Sequence, residues 1–162
     1  MPHRITRFFL LLAAALALVS LNIFAQQTTT PDLSGTWVLN AANSKVPKKV
    51  ALAAETLVIK SAGDKIEIAI FFGDKQSVEV FVVDGKERTK DTGSGGEIYS
   101  KAHWKKAVLF TEIGGRVTGN GIGTFDVISH KEHWSVSPDG QVLKREVEDP
   151  KETLIYDKRP VS

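Results

Sequence analysis

The sequence predicts an all-β fold: an up-and-down antiparallel β-barrel of about eight or nine strands. Three observations carry that expectation. Apolar residues recur with period two along most of the chain, and no convincing amphipathic helix appears. The alternating runs are short and separated by Gly, Asp, Ser and Pro, an all-β spacing. Successive runs can be paired with their apolar faces matched, as a meander requires, because a one-residue slip turns a strand's apolar side outward.

The runs can be taken in order. "GTWVLN" (35–40) is the first strand, and "ETLVIKS" (55–61) follows with Leu57 and Ile59 on one face. "DKIEIAIFF" (64–72) sets Ile66, Ile68 and Ile70 against Lys65, Glu67 and Ala69. "QSVEVFVV" (76–83) repeats the alternation with Val78, Val80 and Val82. "EIYSKAHWK", "AVLFTEI", "TFDVISHKEHWSVS", "QVLKREVE" and "ETLIYDK" complete the series. Matching apolar faces pairs Ile59 with Ile66 across Ala62-Gly63, and Ile70 with Val78 across Gly73-Asp74-Lys75. It also pairs Trp134 with Leu143 across Ser137-Pro138-Asp139-Gly140, residues suited to a turn. The last register sets Glu132 opposite Arg145 and Lys131 opposite Glu146, both opposite-charge pairs. Such a meander buries its edges by closing into a barrel. At about eight strands the interior is either filled by side chains or holds one small ligand.

Three connections are longer. Residues 41–54 contain Pro47 and the lysines 45, 48 and 49, and are expected to cover one barrel end with a short helix. Residues 84–96 are polar and glycine-rich, and residues 114–123 contain five glycines. These two are read as mobile loops able to gate an interior.

The ends and the composition bound the function. Arg4 and Arg7 precede an apolar run from Phe8 to Ala25, which ends in a small residue before Gln26. That is the pattern of a secretory signal cleaved after Ala25. The alternative is an uncleaved anchor, since the run is near the lower limit of about 17–25 residues for spanning a bilayer. The expected layout is a signal peptide at 1–25, a disordered polar tail at 26–32 and one barrel domain at 33–162, with an exported, periplasmic or extracellular address. After cleavage no membrane span is expected.

The whole chain carries 21 Lys+Arg and 19 Asp+Glu. Arg4 and Arg7 account for the whole excess, so the remaining 137 residues are formally neutral. The sequence therefore gives no case for nucleic-acid binding. No cysteine is present. Disulfides, thiol nucleophiles and zinc–thiolate sites are excluded.

"LSGTWVLN", after a Thr-Pro-Asp lead-in, is similar to the Gly-x-Trp first-strand signature of lipocalins and related calycin barrels. With "SK" at 44–45, "DGKE" at 84–87, the Trp104 strand and "WSVSPDG" at 134–140, the chain resembles small secreted bacterial lipocalin-like proteins of acidobacterial type. The likeness covers most of residues 33–158. The later lipocalin motifs are not recognisable, and the longer glycine–tryptophan motif of nitrobindin-type haem barrels is absent. The resemblance implies that Gly35 and Trp37 plug one barrel end, with an arginine packed across the indole. Arg145 and Arg159 both qualify for that place.

The candidate ligand wall is Tyr99, Ser100, Trp104, Phe110, Phe125 and Trp134. On the strand from Glu97, one face reads Ile98, Ser100, Ala102, Trp104, and small residues beside a Trp leave room for a ligand. Tyr99 and Ser100 would orient it. Core filling is the plainer role for the aromatic residues. His130 and His133 point to opposite strand faces, so with His103 they make no metal site. No G-x-S-x-G elbow or other catalytic spacing appears, and "GNGIG" lacks a following helix. No catalytic residue, metal or cofactor is assigned, and an enzyme stays open only as the weakest reading. Phe71, Phe81 and Val83 fall on the polar face of their hairpin and are read as an exposed patch. The expected function is an exported protein binding a small apolar or amphipathic molecule. The alternative is a filled barrel acting as an envelope interaction or inhibitor-like module. Oligomeric state is not legible.

Overall fold

The computed structural model describes residues 30–47, 54–93, 95–119 and 123–160. The signal-peptide reading at 1–25 lies outside them, as do Lys48 and Lys49. Ten strands form a single antiparallel sheet: β1 (Gly35–Leu39), β2 (Glu55–Ala62), β3 (Lys65–Phe72), β4 (Lys75–Val82), β5 (Arg88–Asp91), β6 (Gly96–Lys105), β7 (Val108–Gly119), β8 (Gly123–Val136), β9 (Val142–Val147) and β10 (Glu152–Lys158). Their order is β4-β3-β2-β1-β10-β9-β8-β7-β6-β5. Every neighbour in that series is a chain neighbour except β1 and β10, whose pairing rolls the meander up. The two ends then meet, with β4 lying against β6. Gly85 N–H donates to the Ala102 carbonyl across this seam at 2.8 Å. Among the described residues there is no helix, so the cover expected over residues 41–54 is not seen in the part described. Lys45 instead bridges to Thr153 of β10.

The turns fix the registers. Ala62 pairs with Lys65 across Gly63-Asp64, and Phe72 with Lys75 across Gly73-Asp74. Both are two-residue hairpins whose first central residue has positive φ, +63° at Gly63 and +57° at Gly73. A type II′ turn puts glycine at that position. The consequence is decisive at β3–β4. A two-residue turn sets Ile70 opposite Ser77, not Val78. That one-residue change turns β4 over. Phe81 faces inward and is 2% exposed, whereas Val78 and Val80 face outward at 50% and 55%. The expected Phe71/Phe81/Val83 patch is therefore corrected: Phe81 belongs to the core and Val83 packs against it.

The other two expected registers are each off by two residues, which preserves the faces. Ile59 pairs with Ile68, and Trp134 with Arg145 across a longer connection from Ser137 to Gln141. The segments 84–96 and 114–123, read as loops, both contain strand among the described residues. The first contains the short strand β5, and the second holds the end of β7 to Gly119 and the start of β8 at Gly123. A bulge at Gly115/Arg116 bends that hairpin. Arg116 ties the region down, pairing with Glu87 and with Asp126 at 2.8 Å. Asp84 holds Arg88 at 2.9 Å with both carboxylate oxygens.

The core fills one end of the barrel. Trp37, Leu57, Ile59, Ile68, Leu109, Trp134 and Leu143 are buried there together with Leu33 and Tyr156. Each large apolar side chain removed from water contributes about 1.5–3 kcal/mol. Trp37 closes this end and donates its Nε1–H to the Leu33 carbonyl at 3.0 Å. Gly35 has φ +143°, and a Cβ there would stand 2.9 Å from Lys158 Cε. Only glycine accepts that backbone without strain. The cation over the Trp37 ring is Lys158, with Nζ 5.1 Å from the centroid. The placement of Arg145 or Arg159 across Trp37 is corrected accordingly.

Candidate functional site

Moving from the closed end along the inward faces, apolar residues give way to charged ones at one level. On β2, Ile59 and Leu57 lead to Glu55. On β4, Phe81 leads to Glu79. On β8, Trp134 leads to Glu132 and His130. On β9, Leu143 leads to Arg145. These side chains meet across the lumen. Arg145 donates Nε–H to Glu132 Oε1 at 3.0 Å and a second bond from Nη2 to the same oxygen. Its Nη1 reaches Glu55 Oε1 at 3.3 Å. Tyr156 donates its hydroxyl to that Glu55 oxygen at 2.6 Å. His130 Nε2 lies 2.6 Å from Glu132 Oε1. The guanidinium caps the Trp134 indole at 5.0 Å, and Trp134 Nε1–H donates to Thr111 Oγ1 at 3.1 Å.

The layer is deep. The side chains of Glu132, Glu55 and Arg145 are 4%, 6% and 11% exposed. Burial works to raise the Glu132 pKa, but the His130 hydrogen bond and the Arg145 charge outweigh it and hold it below the ordinary range. Burial opposes the charge on Arg145 too, and Glu132 more than restores it. His130 is raised by its bond to Glu132. Burial, and then repulsion from Glu132, raise Glu79. Burial likewise raises the Tyr156 hydroxyl, keeping it a neutral donor.

Beyond this level the inward positions open to water. Phe72, Ile98 and Val117 lie on the inward registers of β3, β6 and β7, yet are 43%, 49% and 46% exposed. The result is a cup: a packed base, a charged floor and an apolar rim.

The residues expected from sequence divide. Ser100, Trp104 and Trp134 are inward. Ser100 is half-buried above Ala102. Trp104 is half-buried at the closed end, beside a depression of about 270 Å³ that also takes in Ile66, Val83, Asp32 and Asp64. Trp134 is fully buried beneath Arg145. Tyr99 and Phe110 are corrected to the outer face. Strand alternation sets Tyr99 with Lys101 and His103, opposite in sense to Ala102 and Trp104. It is buried there because the Arg116 guanidinium covers its ring at 4.2 Å, and its hydroxyl meets Glu112 at 3.3 Å. Phe110 alternates with inward Leu109 and Thr111, and packs between His103 at 5.1 Å and His133 at 4.3 Å. They line an outer groove of about 200 Å³. Phe125 pairs with Val117 in the β7–β8 ladder, and its side chain lies outside those described.

Sequence reading placed Tyr156 among the aromatic residues able to form a cavity wall, and it missed Glu55, Glu79 and His130 as lumen residues. Parity held the signal, since Glu55 alternates in phase with Leu57 and Ile59, and Glu132 with Trp134. Among the described residues no three His, Asp or Glu side chains converge as metal ligands.

No protein-family model matches the chain, and no curated protein matches it. Solved structures do. The "REP1-NXSQ fatty acid transporter" is 19% identical with a TM-score of 0.57, over 81% of this chain and 98% of that one. "Human cRBP IV" is 18% identical with a TM-score of 0.56, over 80% of this chain and 99% of that one. The shared fold is the up-and-down antiparallel β-barrel. At such identities the likeness concerns the fold, and the chemistry of the lumen has to be read from this chain's own residues.

Proposed function

We propose that the protein is an exported carrier that holds one small amphipathic molecule in the open half of its barrel. The observation that carries this reading is the exposure of Phe72, Ile98 and Val117 on inward registers. In a filled barrel such positions are buried. Here they form an apolar wall above hydrogen-bonding groups, the usual make-up of a small-molecule site. Two proteins of similar fold are a fatty acid transporter and cRBP IV, which is in keeping with a ligand in the lumen. The address rests on Arg4, Arg7 and the Phe8–Ala25 run, and N-terminal sequencing of exported protein is expected to begin at Gln26.

Native mass spectrometry of the exported protein before and after organic extraction tests the carrier reading. The expected result is a mass excess that is lost on extraction and recovered as an amphipathic compound. A bare chain, with no response of tryptophan fluorescence to apolar ligands, would overturn it. A second reading, an interaction module, draws on Val78 and Val80, adjacent on the outer face of β4 at 50% and 55% exposure. It predicts the bare chain and a protein partner lost on Val80→Lys.

A further inference from the structure

We infer that the polar end of the ligand is a cation, an ammonium or guanidinium group, and not a carboxylate. This rests on the carrier reading and names the class of molecule that the same lumen selects. Arg145 is the guanidinium of the charged floor, and it is already engaged. Glu132 takes its Nε and Nη2, Glu55 takes its Nη1, and Trp134 covers its face. A ligand carboxylate reaching Arg145 would have to displace one of two buried glutamates and leave it without a counter-charge. Breaking a buried pair in that way is strongly unfavourable.

The rest of the floor points the same way. Three carboxylates, Glu55, Glu79 and Glu132, face one arginine and one histidine. Glu55 and Glu132 are spent on Arg145, Tyr156 and His130. Glu79 is the remaining acid. It sits one inward position nearer the mouth than Phe81, is partly buried, and feels Glu132, Arg145 and His130 through space. No hydrogen bond or ion pair neutralises it among the described residues. The next inward residue toward the mouth on its own strand is Ser77, and Ser100 is on the inward face of β6, the strand that β4 meets at the seam. Both hydroxyls can accept a bond from an ammonium. A cation placed against Glu79 would relieve its repulsion from Glu132, whereas an anion would add to it. The opposing charges on inward registers are Arg88, opposite Ser100 and already neutralised by both carboxylate oxygens of Asp84, and Lys75 and Lys90 at the rim. All three are exposed, so salt screens them.

The test is displacement of a neutral apolar fluorophore from the purified protein by three C12 amphiphiles of matched chain: dodecylammonium, dodecanol and dodecanoate. Conditions are pH 7.5 and physiological salt, below micelle formation. Dodecylammonium is expected to displace at a concentration about tenfold or more below dodecanoate, since an unpaired charge in a half-buried site carries roughly that much discrimination. Glu79→Gln is expected to cut the preference at least about threefold, and an undiminished preference would place the head group elsewhere and overturn the assignment. Dodecanoate binding as tightly as the amine would overturn the cation inference and leave the carrier standing. Failure of all three amphiphiles would remove the carrier reading, and the inference with it.

Discussion

Replacing Arg145 with methionine tests the charged floor most directly. Methionine keeps much of the stem's volume over Trp134 and removes the guanidinium. Glu132 is then left with His130 alone, and Glu55 with the Tyr156 hydroxyl. Both carboxylates stay at 4–6% exposure. Removing one partner of a buried ion pair costs about 3–5 kcal/mol, against about 0–1 for a surface pair. For a domain of this size that lowers Tm by roughly 10–20 °C. Urea unfolding followed by tryptophan fluorescence measures it, with buried Trp37 and Trp134 as reporters. The pH dependence adds a second constraint. In the native protein the Glu132 pKa is held below its ordinary value near 4.5. Its contribution is therefore present above about pH 4.5 and lost as pH falls through the lowered folded value. In Arg145→Met burial dominates and raises Glu132, so the variant's deficit is expected to shrink between pH 7 and pH 5. The double change Glu132→Leu/Arg145→Met removes both charges and is expected to recover part of the loss. A loss below about 1 kcal/mol for Arg145→Met at pH 7, or a deficit independent of pH, would refute a buried and mutually compensated layer.

Three further outcomes follow from the local geometry. Gly35→Ala is expected to cost about 1–3 kcal/mol in urea unfolding, because φ +143° strains any side chain and the new Cβ displaces Lys158 from Trp37. Lys106 has φ +56° at the first position of the two-residue turn between Lys105 and Val108, so Lys106→Gly is expected to stabilise by up to about 1 kcal/mol. Tyr99→Phe is expected to leave amphiphile displacement unchanged and to cost only the hydroxyl's bond to Glu112, about 0.5–1.5 kcal/mol by thermal melting.

The fold was legible because period-two patterning is a direct image of a one-sided sheet. Nine of the ten strands announce themselves in this way, and β5 (Arg88–Asp91) does not, because all four of its residues are exposed and polar. Registers were legible only to within the turn. Gly73-Asp74 and Gly73-Asp74-Lys75 differ by one residue, and the choice decides whether Phe81 or Val80 lines the barrel. The Glu132–Arg145 attraction was visible as a cross-strand pair and survives as a diagonal one, since Trp134 and not Glu132 stands opposite Arg145. What composition hid is that the pair is buried. A charged residue on a strand reads as solvated unless its parity is compared with that of its apolar neighbours. Tyr99 shows the converse, an aromatic buried on the outer face by a single arginine from β7.

The charged floor marks where the packing of this barrel stops. A buried ion pair is no more stabilising than apolar residues of the same volume. Stability alone therefore does not account for Glu55, Glu132 and Arg145 at the level where leucine and isoleucine fill the barrel below. Their position does. Below them Leu57, Ile68, Leu109 and Leu143 close the lumen completely. Above them Phe72, Ile98 and Val117 stand open to water on the same inward registers. A layer whose members satisfy one another across the lumen resists collapse of the upper half onto the lower, since collapse would desolvate Glu79 with no partner to offset it. The same layer fixes the polarity that an entering molecule meets. Replacing Glu79 and sparing the ion pair is therefore expected to separate two properties. Glu79→Gln retains the fold's stability and cuts the discrimination between charged head groups.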